Sequence, residues 1–313
     1  MSAEHDHVDV RGTVSFVGLS YLVAWPLTIP LFLTGTGLTS GWAPVIILGM
    51  MSAPALAGIV VQKWISPRDS IARELGITSE GGFRRWWGYA LIAWFGPAVL
   101  ALLALVVGWM LGVYRADWFG FSGLAETYGP AEGITPGQLA LDQLLQVFLL
   151  GWLNVIPAFG AELGWRGYLT RALLPLGQPA AFLITGVLWA LWHGPLLVLG
   201  YNYPSAPIVV AFIMMGCYGV LTSALLGWLR LASRSVWPAA IAHGFLNSAA
   251  GLGLLFSAAG SPVDSVTTGL LGWSGWIVLA LAILVLALLR KLPVELPQQS
   301  AGISRGVRRL SRR

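Results

Sequence analysis

Charge is what this sequence has least of. Only 10% of its 313 residues are Asp, Glu, Lys or Arg, while 57% are hydrophobic. A water-soluble domain carries about 25% charged residues, so the deficit excludes an ordinary soluble globule and points to lipid as the solvent. Cysteine is nearly absent. The single Cys217 excludes an intrachain disulfide and a cysteine-based metal site, and in its apolar run it reads as packing. The H-E-x-x-H pattern of soluble zinc peptidases does not occur. No internal repeat is found, which disfavours inverted-repeat transporter folds. The first apolar run is preceded by Glu4, Asp6 and Asp9 and, histidines apart, by one basic residue, Arg11. That is a poor signal-peptide start, so the run reads as a retained helix. The net charge of +5 is gathered in a few loops. It signals topology and lipid contact rather than nucleic acid as a partner.

What is present is apolar length. A helix needs about 20 apolar residues to cross the hydrocarbon core. From Thr13 to Val61 there is no charged residue, and Gly35-Thr36-Gly37 with Ser40-Gly41 divides that run into spans near 14–34 and 42–61. A third span covers about 86–113, and a fourth starts near Leu139. The Tyr201-Asn202-Tyr203-Pro204 turn divides the run 172–229 into spans five and six. Spans seven and eight cover about 236–256 and 269–289. The sequence therefore predicts an all-α, polytopic integral membrane helical bundle of about eight transmembrane helices. Sixteen Trp suit the interfaces of such a bundle. Every second loop is basic: Lys63, Arg68, Arg73, Arg84 and Arg85, then Arg171, then Arg230 and Arg234, then Arg290 and Lys291. The alternate loops hold only Arg115. Both termini are expected on the cytoplasmic side, in the plasma membrane of a bacterium, with the tail Arg305–Arg313 on anionic lipid or disordered. The organisation expected is a segment 1–12, three spans in 13–137, a core 138–256, a last span in 257–291 and a basic tail 292–313.

An ionisable residue inside a span costs at least about 2.5 kcal/mol on insertion scales and is a functional candidate by default. Glu162, Arg166, His193 and His243 are four such residues, with Asn154 and Asn247 as uncharged companions. Glu162 and Arg166 stand four apart, on one helix face and within pairing distance. The bland reading is a structural ion pair; the functional one is a carboxylate held oriented by Arg166. Trp189 and His193 are four apart, as are His243 and Asn247. Counted from residue 177 in the hinge between spans four and five, Glu162 lies 15 residues before and His193 lies 16 after. In an antiparallel hairpin both reach about 22–24 Å from the hinge, so one site on three helices is possible. Gly160, Gly164 and Gly167 would permit the close approach. One carboxylate, two imidazoles and an amide suit peptide hydrolysis. Two His and one Glu are also a three-ligand zinc set.

These residues, in this order, resemble the CAAX protease and bacteriocin-processing (CPBP) family of intramembrane endopeptidases. The family motifs are E-E-x-x-x-R, F-x-x-x-H and H-x-x-x-N or H-x-x-x-D on successive membrane helices. This chain has Ala161-Glu162-x-x-x-Arg166, Trp189-x-x-x-His193 and His243-x-x-x-Asn247. The flanks Gly164-Trp165-Arg166-Gly167-Tyr168-Leu169, His193-Gly194-Pro195 and Ser235-Val236-Trp237-Pro238-Ala239 are similar too. The resemblance covers about 160–250. It implies Glu162, His193, His243 and Asn247 as catalytic residues and Arg166 and Trp189 as orienting ones. If zinc is the cofactor, His193 and His243 are its ligands; members have been described as metal-dependent and as glutamate-dependent without metal.

One departure is chemical. Ala161 stands where the family has the first Glu, usually taken as the group that activates water, and a methyl takes no proton. The chain is then an active protease disarmed by a Glu-to-Ala replacement, a natural non-catalytic member, or an enzyme using Glu162 as base. The expected substrate is a membrane-associated or lipidated peptide, reached from the cytoplasm or laterally from the bilayer. A transporter and a non-catalytic peptide-binding or immunity-type protein are the competing classes. Nothing in the sequence fixes the oligomeric state.

Overall fold

The computed structural model describes residues 7–78, 82–129 and 134–295. The basic tail Arg305–Arg313, and Glu4 and Asp6 at the other end, lie outside the described residues. Eight principal helices occupy the eight predicted spans: α1 Val10–Leu27, α2 Ala43–Val60, α3 Phe83–Met110, α4 Pro136–Glu162, α5 Gln178–Trp192, α6 Ile208–Ser233, α7 Trp237–Ala249 and α8 Trp273–Leu288. Among the described residues there is no strand, only one bridge between Ala116 and Ser257. The protein is an all-helical membrane bundle.

Five helical stretches are long and apolar enough to span by themselves: Val10–Leu33, Ala43–Ile65, Trp86–Met110, Pro136–Ala172 and Ile208–Ser233. Helices α5 and α8 are apolar but shorter, 15 and 16 residues. Past His193, α5 continues as a second short helix, Gly194–Val198. Helix α7 ends after 13 residues, earlier than the apolar run 236–256 suggests. Its chain turns at Ala250 and Gly251 into the short helix Leu252–Leu255, where the Gly253 carbonyl accepts a hydrogen bond from Tyr114 at 2.8 Å.

Lipid explains the outer surface. Along α4, Leu141, Leu145, Leu149, Leu153 and Ile156 recur every three or four residues and are all more than half exposed. In water such a stripe would be an aggregation patch; facing acyl chains it costs nothing. The opposite face of α4 packs on α7 and α2, while α5 packs on α6, and α7 also packs on α3. Two glycines set the central distances. A Cβ on Gly164 would lie 2.3 Å from Pro54 Cβ in α2, and one on Gly244 would lie 2.7 Å from the Val155 nitrogen in α4. Only hydrogen fits at either place. Helix α4 starts with a capping box: Thr135 accepts from the Gln138 backbone at 3.2 Å, and Gln138 accepts in return from the Thr135 backbone at 2.9 Å.

The two ends of the bundle differ. At the basic end, Arg171 and Arg230 both donate to the Glu74 carbonyl, and Arg171 pairs with the Glu74 carboxylate at 3.2 Å. At the other end, two loops knit into a roof. Asp117 donates to the Phe256 carbonyl at 2.9 Å, Ala258 to the Arg115 carbonyl at 2.9 Å, and Gly123 to the Ser257 carbonyl at 3.0 Å. The Gly260 backbone bonds the Glu126 carboxylate at 2.6 Å. Further along, Tyr203 reaches the Leu271 carbonyl at 3.1 Å and Thr268 the Val113 carbonyl at 3.2 Å.

Candidate active site

The polar residues of three separate spans meet inside the bundle. Glu162 is the last residue of α4, and the chain runs on as a π-helical stretch, Leu163–Leu169. Such wide turns gather at functional sites because they re-aim side chains within a continuous helix. Here Arg166 still folds back on Glu162, its Nη1 donating to Oε1 at 2.8 Å. Both side chains are fully buried. The same Oε1 lies 2.8 Å from Nδ1 of His243 on α7. One carboxylate oxygen thus ties the first motif to the third. Oε2 of Glu162 and Nε and Nη2 of Arg166 are buried with no hydrogen-bond partner among the described residues.

Trp189 on α5 joins the second motif to the others. Its ring lies 5.0 Å from the Arg166 guanidinium carbon. It meets His193 edge-on at 5.2 Å and His243 edge-on at 5.4 Å. A cation over an indole face is favourable in a dry interior, so Trp189 supports the Arg166 charge that Glu162 only partly neutralises. The mild exchange of Phe for Trp in the motif therefore adds a stronger cation partner.

The ring nitrogens can be assigned from their partners. Nδ1 of His193 lies 2.8 Å from the Trp189 carbonyl, which can only accept, so Nδ1 carries the proton. Nδ1 of His243 faces a carboxylate and is protonated for the same reason. In the neutral imidazoles Nε2 is then the nitrogen with the free lone pair. Both histidines line one cavity of about 170 Å³, together with Ala161, Trp189 and Asn247. Glu162 does not line it. The residue spacing that places Glu162 in the ion pair turns Ala161, about 100° away on the helix, toward the cavity.

Every catalytic and orienting residue expected from the sequence is in this region. Glu162, Arg166, Trp189, His193 and His243 are linked by one chain of contacts, in which Trp189 joins His193 to the rest, and Asn247 shares the cavity wall. Asn154 stands apart from it, donating to Ser248 at 2.9 Å. Sequence reasoning missed three aromatic neighbours. Trp192 meets His193 edge-on at 5.0 Å, Tyr201 stacks parallel to His193 at 6.1 Å, and Tyr218 lies 6.2 Å from Trp189. Tyr201 was visible only as part of a span break, although a Tyr pair in a charge-free loop is itself a polar signal.

The donor set meets only part of a zinc site. Among the described residues no three His, Cys, Asp or Glu side chains are grouped to hold a metal ion. The Glu162 carboxylate oxygen that faces His243 is already bonded to it and to Arg166. Two imidazoles beside a methyl group at position 161 fall short of the three protein ligands of a catalytic zinc.

Residues 142–249 match the family described as type II CAAX prenyl endopeptidase Rce1-like, which agrees with the CPBP resemblance of the three motifs. The match spans α4 from its second turn through the end of α7, and so contains the whole ion-pair and histidine cluster. No curated protein matches the chain.

Proposed function

We propose that this chain, with its Rce1-like endopeptidase domain at 142–249, is an intramembrane peptidase scaffold that takes a membrane-associated or lipidated peptide into the cavity. We place it in a bacterial plasma membrane. As it stands it binds its peptide and hydrolyses it poorly, because Ala161 holds the position of the water-activating carboxylate. The observation that carries this reading is the division of labour between neighbours: Ala161 is on the cavity wall with His193, His243 and Asn247, while Glu162 is spent in the ion pair behind it.

The roles follow from the contacts. His193, fixed by the Trp189 carbonyl, presents Nε2 to hold or pass a proton. His243, fixed by Glu162, does the same or donates to a developing oxyanion, and Asn247 is the amide donor for that oxyanion. Glu162 and Arg166 are positioning residues, and Trp189 packs between them and the imidazoles. This assignment moves Glu162 from the base to the frame. Zinc, where present, would be held by His193 and His243 and would need a third ligand that position 161 does not supply.

Two other classes compete with this reading. A transporter needs a polar path through the bundle, yet Glu162, Trp165, Arg166 and Leu169 below the cavity are all fully buried. A binding or immunity-type protein is favoured by Ala161 itself and differs from the main reading only in whether a restored carboxylate brings cleavage.

The test is Ala161→Glu beside the unaltered chain, in liposomes, against prenylated and plain C-terminal peptides and a membrane-anchored peptide. Ala161→Glu with His193→Ala is the control. Cleavage confined to Ala161→Glu and lost in the control supports a peptidase lacking one group. Equal cleavage by both forms would return the base role to Glu162. Binding without cleavage in either would establish the binding-protein class. Substrate-dependent uptake would favour transport.

A further inference from the structure

The cavity has a direction. Apart from Ala161 on α4, its helical wall residues come from the same end of the bundle. Met50 lies in the first half of α2, Leu105 near the end of α3, Leu196 just past α5 and Met215 in the first half of α6. These helix ends all lead into the loops that hold almost no Lys or Arg. The roof segment 263–271 supplies Ser265, Thr268 and Leu271 to the same cavity. Ala161 and His243 are its floor, since they are the wall residues nearest the basic end on α4 and α7.

Below that floor the bundle is shut. Glu162, Trp165, Arg166 and Leu169 are 0% exposed, and the helical chain runs ten more residues to Ala172 before the basic loop, about 15 Å. A buried, hydrogen-bonded ion pair is a poor gate, because separating its members strands an uncompensated charge in a dry interior. The described residues that line the cavity include no Lys, Arg, Asp or Glu. Such a wall suits an uncharged peptide stretch and offers no cation to a free C-terminal carboxylate.

We infer that the cavity is loaded from the membrane face opposite the basic loops, beneath the 256–272 roof, and that its substrate is an uncharged, apolar peptide segment presented on that face. With basic loops inside, this is the extracytoplasmic face rather than the cytoplasmic one. The inference rests on reading the cavity as the peptide site, but its test does not depend on cleavage.

The native thiol is removed with Cys217→Ala, and single cysteines are placed by Asn247→Cys at floor level, by Ser265→Cys in the roof and by Asn202→Cys in a neighbouring turn. Lys63→Cys marks the basic face. A small membrane-impermeant methanethiosulfonate is added to intact cells and to inside-out vesicles. The expected result is modification of the three cavity cysteines from outside intact cells and of Lys63→Cys only in inside-out vesicles. Modification of the cavity cysteines from the Lys63→Cys face overturns the inference, and so does modification from neither face, which would mean loading from lipid. Asn202→Cys reports on the opening if Asn247→Cys disturbs folding. A failure of Ala161→Glu to cleave would sink the peptidase reading and leave this labelling pattern unchanged.

Discussion

Nδ1 of His243 lies 2.8 Å from Oε1 of Glu162, and through that oxygen α7 is fixed in height and rotation against α4. Arg166 bonds the same oxygen, so the three side chains act as one unit. Removing Arg166 strands a buried carboxylate, and removing Glu162 strands a buried guanidinium. Arg166→Ala and Glu162→Ala are each expected to lower stability in detergent by about 3–5 kcal/mol. The double variant should lose less than the sum of the two. Unfolding in mixed micelles reads both, and strictly additive losses would contradict the pairing.

Restoring the carboxylate has a size that can be stated. A positioned general base contributes about 10²–10⁴-fold to rate, so Ala161→Glu should raise peptide cleavage by at least that lower factor. In that background Asn247→Ala should cost about 10²–10³-fold in kcat, the usual loss for an oxyanion donor. A loss confined to KM would instead make Asn247 a substrate contact. Single-turnover cleavage in liposomes separates the two.

The aromatic wedge between the motifs is predicted to matter by shape. Trp189→Phe keeps an aromatic face for Arg166 and should be tolerated. Trp189→Ala removes the contact to Arg166, His193 and His243 together and should cost about 3–5 kcal/mol. Equal stability of the two variants would show that the ring is only filler.

Close helix approach gives a third stability test. Gly164→Ala would drive a methyl to within 2.3 Å of Pro54, against backbone and ring rather than a movable side-chain tip. The expected loss is about 1–3 kcal/mol. Gly18→Ala in α1, where a Cβ meets nothing within 4 Å, is the control and should be near neutral.

Metal content discriminates among the site chemistries. The purified unaltered chain is expected to hold far less than one zinc per chain, since His193 and His243 lack a third protein ligand. Elemental analysis checks this. Stoichiometric zinc in the unaltered chain would mean that the cluster around Glu162 rearranges on binding.

The helices were legible because their signal is local: charge-free runs bounded by Gly, Pro and basic loops. The Glu162–Arg166 pair was legible from a four-residue spacing, and its sharing of a site with His193 from equal depths along a hairpin. The early end of α7 was not, because residues 236–256 carry no Asp, Glu, Lys or Arg, and the short helix that follows is met by Tyr114, more than a hundred positions away in sequence. The roof depends likewise on bonds between 115–126 and 256–261. The direction of the cavity could not be read either, since it emerges only when the ends of α2, α3, α5, α6 and α7 are brought side by side.

The π-helical stretch Leu163–Leu169 has a consequence for how this chain can change. A wide turn is an α-helix carrying one residue too many, held open by its surroundings. Above it α4 keeps a leucine seam toward lipid; below it Arg171 grips Glu74. The angle between those two obligations is stored as a count of residues, not as a choice of side chains. Substitutions can retune either half without disturbing the other. Loss of one residue between them would close the turn and swing the lower half by about a quarter of a revolution, so this is the place where the protein tolerates new letters but not a new length.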